Sequence, residues 1–390
     1  RREKKRKEKK REGKERKGEL SFMNRFNLPY NLIMEEGVFE RVDEVMADCV
    51  PGIEKKKVVI VTESMLLEIF SHCLAEIQRD FKESEIYLVE QGSFDTAVTL
   101  AKYICMNEIT VVIGFGGGKV LDIAKYAAFI SKAMYLCLPT TLSNDSLASP
   151  VAVLGTQGDN RQTFGCKIPS GIIVDLDVIM TTPEIQLKSG IGDTISKYTA
   201  LYDWKLDAKH HGKSVNDFAY MISDVALTSL CYHEEKSLKS KSFLKVLTQA
   251  LVMGGLAMEI SGSSRPSSGS EHLFCHSLEE NYKEIHIMHG MAVAMGTIPA
   301  AVFQKRKHTE KLIHLMKTHK MDINPKSYDI TKEIFIGAWQ KAKETRRERY
   351  TILNETDLSQ ERLGMIYDKM VEGNYSQLLD YDCYTGGRKT

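Results

Sequence analysis

Three features of the sequence predict an α/β parallel-sheet domain followed by an all-α domain. The first half alternates short, wholly apolar runs with helix-length amphipathic segments. One of those runs ends in four glycines within five positions, and beyond residue 182 the patterns become long and helical. At 390 residues the chain exceeds what a single core usually serves, so two domains are expected.

The runs Lys57-VVIVT, Ile86-YLV, Thr110-VVIGF, Ala133-MYLCLP and Gly171-IIVDLDVI lack the polar/apolar alternation of a half-exposed strand. They therefore read as parallel strands covered on both faces. Helical patterns over 63–80, 95–106 and 119–131 lie between them, the arrangement that right-handed crossovers require. Thr182-Pro183-Glu184 reads as a helix start with proline at its first position, which sets the boundary. The expected organisation is a basic extension over 1–22, a nucleotide-binding domain over 23–182, a helical domain over 183–375 and a tail over 376–390.

A net charge of +1 conceals an uneven distribution: residues 1–18 carry +8 and the remainder −7. So charged a block cannot bury apolar area, and it reads either as a nucleic-acid or membrane-surface tail or as a dispensable extension before Met23. The second reading is adopted, so no nucleic-acid partner is expected. No run of about 18 apolar residues suggests a membrane span, and no secretory signal is recognised. The eight cysteines are scattered without a CxxC pair, which points to free thiols in a reducing, cytoplasmic setting.

Chemistry first enters at Thr110-VVIGFGGGKVLDIAKYAA, where a buried strand runs through Gly114, Gly116, Gly117 and Gly118 into a helix. Glycines permit close backbone approach, and a helix N-terminus offers unpaired N–H groups to a pyrophosphate. The run matches neither a Walker A loop, given Ile113 and Val120, nor a GxGxxG ending at Lys119. Two other strand ends should face the same rim. Glu63 follows the first strand and is either a ribose acceptor or a solvated helix-start acid. The loop Leu138-PTTLSNDSLASP is either a hydroxyl-rich ligand loop or a plain polar turn.

The helical half holds Asp193 in Ser189-GIGDTISKYTA, then four histidines at 272, 276, 286 and 289 within eighteen residues. His272 and His276 share a helix face. Imidazoles with a carboxylate form an ordinary donor set for a divalent metal with an open position, although an i,i+4 histidine pair alone is as readily a packed surface pair.

Gly116-GGKVLDIAK, Pro139-TTLSNDSLASP, Gly192-DTISKYTALYDWKL, Ser264-RPSSGSEH and His289-Gly290 together resemble the sn-glycerol-1-phosphate dehydrogenases. These belong to the iron-containing alcohol dehydrogenase, glycerol dehydrogenase and dehydroquinate synthase superfamily. The resemblance runs from about Met23 past Arg349-YTILNE. It implies a Rossmann-like domain and a helical domain with the active site in the cleft between them. It implies metal ligation by Asp193, His272 and His289, with zinc expected because Lys197 stands where four-ligand relatives carry a further histidine. Asp145, His276 and Asp193 match substrate positions, and His276 either relays a proton or orients hydroxyls. Gly116, Gly117, Gly118, Lys119, Val120, Leu121, Asp122, Thr140, Thr141, Leu142, Ser143 and Ser149 fall on cofactor segments for NAD(H) or NADP(H). The implied reaction is reversible reduction of dihydroxyacetone phosphate, a small phosphorylated ketone, by a homo-oligomer. Arg265, beside His272 in sequence, is a further candidate for the substrate phosphate, with a structural surface arginine as the alternative.

Overall fold

The computed structural model describes residues 31–375 and 378, apart from 51, 82, 157–160 and 308. The basic extension over 1–22 and the tail beyond 378 lie outside the described residues.

The first half builds β1 (Asn31–Glu35), α1 (Val42–Cys49), β2 (Val58–Thr62), α2 (Ser64–Ile69), α3 (Ser71–Asp80), β3 (Ser84–Leu88), α4 (Phe94–Met106), β4 (Val111–Gly116), α5 (Gly118–Ser131) and β5 (Met134–Pro139). It continues through a hairpin of β6 (Val151–Gly155) and β7 (Arg161–Gly165), then β8 (Gly171–Asp175) and the short α6 (Leu176–Met180). Six strands form one parallel sheet in the order β1-β8-β5-β4-β2-β3, while β6 and β7 pair antiparallel apart from it. Successive residues of the central strands supply opposite faces. Val58, Ile60, Ile113 and Phe115 enter one core cluster, and Val59, Val61, Val112 and Cys137 enter the other. This two-sided burial explains the unalternating runs of the sequence.

The four inner strands and the edge strand β3 match the expected runs. The helix expected over 63–80 breaks at Phe70, whose φ of −111° and ψ of 31° end α2 and precede α3. The end of the Gly171 run is helical, because the Asp175 carboxylate accepts from the Asp177 and Val178 N–H groups and caps α6. The same carboxylate accepts from the Gly37 and Phe39 N–H groups, tying the segment after β1 to β8.

All regular elements described after residue 183 are helical: α7 (Glu184–Ile195), α8 (Lys197–His210), α9 (Asp217–Cys231), α10 (Lys241–Ser261), α11 (Ser270–Asn281), α12 (His289–Phe303), α13 (Glu310–Thr318), α14 (Lys332–Lys341) and α15 (Gln360–Val371), with short 3₁₀ turns. Pro183 is the N-cap of α7. Among the described residues only α10 is long and apolar enough to cross a membrane, and 67% of its apolar window is buried inside the protein.

Helix α7 joins the two halves. A Cβ on Gly190 would stand 2.0 Å from the Leu142 carbonyl, and one on Gly192 would stand 1.9 Å from the Gly290 carbonyl. A Cβ on Gly290 would in turn meet the Ser189 carbonyl at 1.9 Å. Ser189 donates its hydroxyl to the Ser143 carbonyl at 2.9 Å and accepts the Gly290 N–H at 3.1 Å. Backbone thus rests on backbone along both sides of α7, a spacing that only glycine allows.

Replacing Gly192 by Ala drives a methyl into a carbonyl oxygen that cannot yield as a side chain would. The loss should reach or exceed the ~1–3 kcal/mol of ordinary overpacking. Gly165→Ala, where nothing lies within 4 Å, should shift stability by less than about 0.5 kcal/mol. Equal thermal melting of the two variants would contradict the packing described.

Candidate metal and dinucleotide site

Three helices deliver three donors to one point. Asp193 lies in the last turn of α7, His272 in the first turn of α11, and His289 opens α12. A ligand atom from each lies within 4.8 Å of the other two. His272 Nε2 is 3.5 Å from Asp193 Oδ1, and the His272 and His289 ring centroids are 5.4 Å apart. His276 joins this cluster, 6.2 Å from the His272 ring and 6.0 Å from the His289 ring. His286 is not among the grouped residues.

The outer faces of these rings are held by acids that the motifs did not single out. Glu271 Oε1 lies 3.0 Å from His272 Nδ1, and Glu279 Oε1 lies 3.1 Å from His289 Nδ1. Glu271 also accepts the Thr199 hydroxyl at 2.6 Å and the Gly269 N–H at 2.6 Å. Helical spacing alone could have drawn attention to Glu279, at i+3 from His276 and on the same face.

Burial favours a neutral Asp193, but a hydrogen bond from His272 and the charge of Lys197 outweigh it, so the carboxylate is held below its usual range. Lys197 is fully buried, and its ammonium donates to the Asp193 carbonyl at 3.5 Å. Asp145 is pushed up by burial and by the charge of Asp193, while its backbone N–H donates to Asp193 Oδ2 at 3.0 Å. That bond sets the loop after β5 against the metal-type donors. Burial lowers His276 to about 4, which leaves a neutral ring at physiological pH. A carboxylate held ionised beside two imidazoles whose outer nitrogens are engaged fits a divalent metal.

The glycine run and the hydroxyl loop meet at the C-terminal edge of the sheet. Thr140 N–H donates to the Gly116 carbonyl at 3.0 Å. A Cβ on Gly117 would meet Thr141 Oγ1 at 3.6 Å, and one on Gly118 would meet Ser146 Oγ at 3.2 Å. Leu121 N–H bonds the Gly117 carbonyl, so the N–H groups of Gly118, Lys119 and Val120 lie at the open end of α5. Thr140 Oγ1 is buried without a hydrogen-bond partner among the described residues. An orphaned hydroxyl beside a glycine-lined helix N-terminus suits a dinucleotide. Val120, Leu121 and Leu142 have buried side chains, which leaves only their backbone to meet a ligand.

Glu63 caps β2, the neighbour of β4, and pairs with Lys119 at 2.5 Å. Three of the side chains singled out in the sequence have partners within the protein. Asp122 turns inward, with Oδ1 3.0 Å from the Lys125 ammonium and Oδ2 accepting the Val153 N–H at 3.0 Å. It braces the hairpin, as does Ser149, whose hydroxyl lies 3.2 Å from the same ammonium. Arg265 is no surface group, and only its Nη2 has partners, Nε and Nη1 being buried without one among the described residues. It is 8% exposed, and its Nη2 donates to the Asp203 and Tyr350 carbonyls at 3.2 and 2.7 Å. The Asp207 carboxylate stands 3.3 Å from Nη2, so a negative charge is already in place on that side.

The first half of the chain, residues 33–183, matches the model of the iron-containing alcohol dehydrogenase family. Solved structures with this fold include glycerol dehydrogenase from Schizosaccharomyces pombe, with a TM-score of 0.71 and 20% identity over 92% of each chain. Another is sulfoacetaldehyde reductase from Bifidobacterium kashiwanohense in complex with NAD+, with a TM-score of 0.67 and 15% identity over 90% of this chain and 99% of that one. Curated relatives are closer in sequence. Glycerol-1-phosphate dehydrogenase [NAD(P)+] of Aeropyrum pernix is 32% identical over 87% of this chain and 95% of its own length. Its counterpart in Sulfurisphaera tokodaii is 34% identical over 78% and 86%. The chain is thus an NAD(P)-dependent oxidoreductase of the iron-containing alcohol dehydrogenase class. Within that class it belongs to the glycerol-1-phosphate dehydrogenase family.

With Arg265 engaged as described, Arg265→Ala should cost roughly 2–3 kcal/mol of stability through lost charge-assisted bonds. Michaelis constants for phosphorylated and unphosphorylated substrates should rise together. A rise confined to the phosphorylated substrate would put the phosphate on Arg265 after all.

Proposed function

We propose that this chain reduces dihydroxyacetone phosphate to sn-glycerol 1-phosphate, reversibly, using NADH or NADPH and a zinc ion held by Asp193, His272 and His289. The observation that carries this reading is the convergence of those three donors with Asp145 and His276, set against the dinucleotide rim by the bond from Asp145 N–H to Asp193. The names of the curated relatives support the substrate.

When bound, the metal supplies polarisation of a carbonyl oxygen and the nicotinamide supplies hydride. The chain's residues do the rest. Gly116–Gly118 and the open end of α5 hold the pyrophosphate, and Thr140, Thr141 and Ser143 line the approach to the metal donors. Asp145 and His276 orient the substrate hydroxyl and carbonyl, with His276 in reach of the oxygen that gains a proton. Glu63 receives the adenosine ribose, and Lys119 beside it tempers its repulsion of a 2′-phosphate, which supports use of both cofactors.

The described cysteines are all free, which supports a reducing, cytoplasmic setting. Phe218, Met221 and Val225 leave an apolar stripe exposed along α9, which supports assembly as a homo-oligomer.

The deciding assay follows NAD(P)H oxidation with dihydroxyacetone phosphate, dihydroxyacetone and glyceraldehyde 3-phosphate in turn. The first should exceed dihydroxyacetone in kcat/KM by at least about tenfold, as one charge-assisted phosphate contact implies. Chelation should abolish turnover and added zinc should restore it. Preference for dihydroxyacetone or glycerol would instead make this a polyol dehydrogenase.

A further inference from the structure

Helices α11 and α12 carry a second group of metal-type side chains behind the first. Cys275, Glu279 and His289 each present a ligand atom within 4.8 Å of the others. Cys275 Sγ is 3.3 Å from His289 Nδ1 and 3.7 Å from Glu279 Oε1. The group shares His289 with the Asp193–His272–His289 set. It uses Nδ1, so the remaining nitrogen, Nε2, is left for the first set.

The second oxygen of Glu279 also has a partner. Its Oε2 lies 3.5 Å from His276 Nδ1, so one carboxylate spans the outer nitrogens of a metal-donor ring and a substrate-side ring. Glu279 is 31% exposed, whereas Cys275 is buried behind it. The thiol is placed to donate to the Glu279 carboxylate beside it.

We propose that Glu279 is a positioning residue that fixes His289 and His276 together, holding Nδ1–H of each ring so that both Nε2 atoms face the substrate. Cys275 closes the back of this clamp as a donor to Glu279. Glu271 does for His272 what Glu279 does for His289, so both imidazole donors are oriented from one helix. The proposal rests on Asp193, His272 and His289 holding a divalent metal.

The shape of the clamp sets the pattern among variants. Alanine at 279 frees both rings. Glutamine has one acceptor oxygen and one donor NH₂, so it can keep only one ring in place. Serine at 275 keeps a small donor behind the carboxylate.

The test measures zinc affinity and stoichiometry by chelator competition in wild type, Glu279→Ala, Glu279→Gln and Cys275→Ser, together with the visible spectrum of the cobalt-substituted proteins. Melting of the metal-free proteins reports folding separately. The expected result is one zinc per wild-type chain, with affinity reduced about 10–100-fold in Glu279→Ala, the usual cost of losing an outer-shell partner. The glutamine variant should recover part of that loss, the serine variant should bind as wild type, and metal-free melting should be unchanged in all. Wild-type affinity and cobalt spectrum in Glu279→Ala would overturn the clamp. Two zinc ions per wild-type chain, falling to one in both the 279 and 275 variants, would overturn it in favour of a second metal centre. Wild type that binds no zinc would overturn the metal reading itself, and the clamp with it, before any variant is compared.

Discussion

The contact between the backbones of α7 and α12 governs the rest of the molecule. Asp193 and His289 lie 96 positions apart in the chain, and neither carries any local signal for the other. They meet because Gly192 and Gly290 let one helix rest directly on the other, where a Cβ would come within 1.9 Å of a carbonyl. On its opposite side α7 rests as closely on Leu142 through Gly190. A single helix therefore sets the distance from the loop after β5 to Asp193 and His289. Tight packing transmits position with little slack, so the site needs no flexible loop to assemble.

A second layer keeps the donors from turning. The segment from Ser263 to Ser270 leads into His272 and is pinned by buried charge. Asp203 accepts the Ser270 and Ile352 N–H groups at 2.7 and 2.8 Å, and Arg349 donates to the Ser268 carbonyl at 3.0 Å and the Ser264 hydroxyl at 2.7 Å. Burial, with Glu271 nearby, pushes Asp203 up to about 6. Buried ionic groups gain little net stability, and their value here is geometric. The strap around Tyr350 and the start of α11 are locked to α8, and the first ring of the site stands at the end of that lock.

Much of this was legible in the sequence, for physical reasons that differ by element. Strands β2, β4, β5 and β8 are buried on both faces, so composition alone marks them. The edge strand β1 and β7 went unread because five residues with mixed exposure leave no periodic signal, and β6 because its alternating exposure falls on uniformly apolar side chains. The grouping of Asp193, His272 and His289 was expected from motif order, since spacing says nothing about which helices meet. The buried setting of Arg265 was not legible because a sequence shows a charge and not its partners. Asp207 and the Asp203 and Tyr350 carbonyls come from far along the chain. Glu279 was missed for the converse reason: an acid on a helix face is commonplace until two histidines are seen to lean on it.

The account turns on where a metal sits relative to three residues that only the fold brings together. Anomalous diffraction at the zinc edge, from crystals of the zinc-loaded protein, measures that directly. One peak is predicted, about 2.0–2.2 Å from an Asp193 carboxylate oxygen and from a nitrogen of His272 and of His289. A peak held by Cys275 and Glu279, or zinc bound without Asp193, would contradict it.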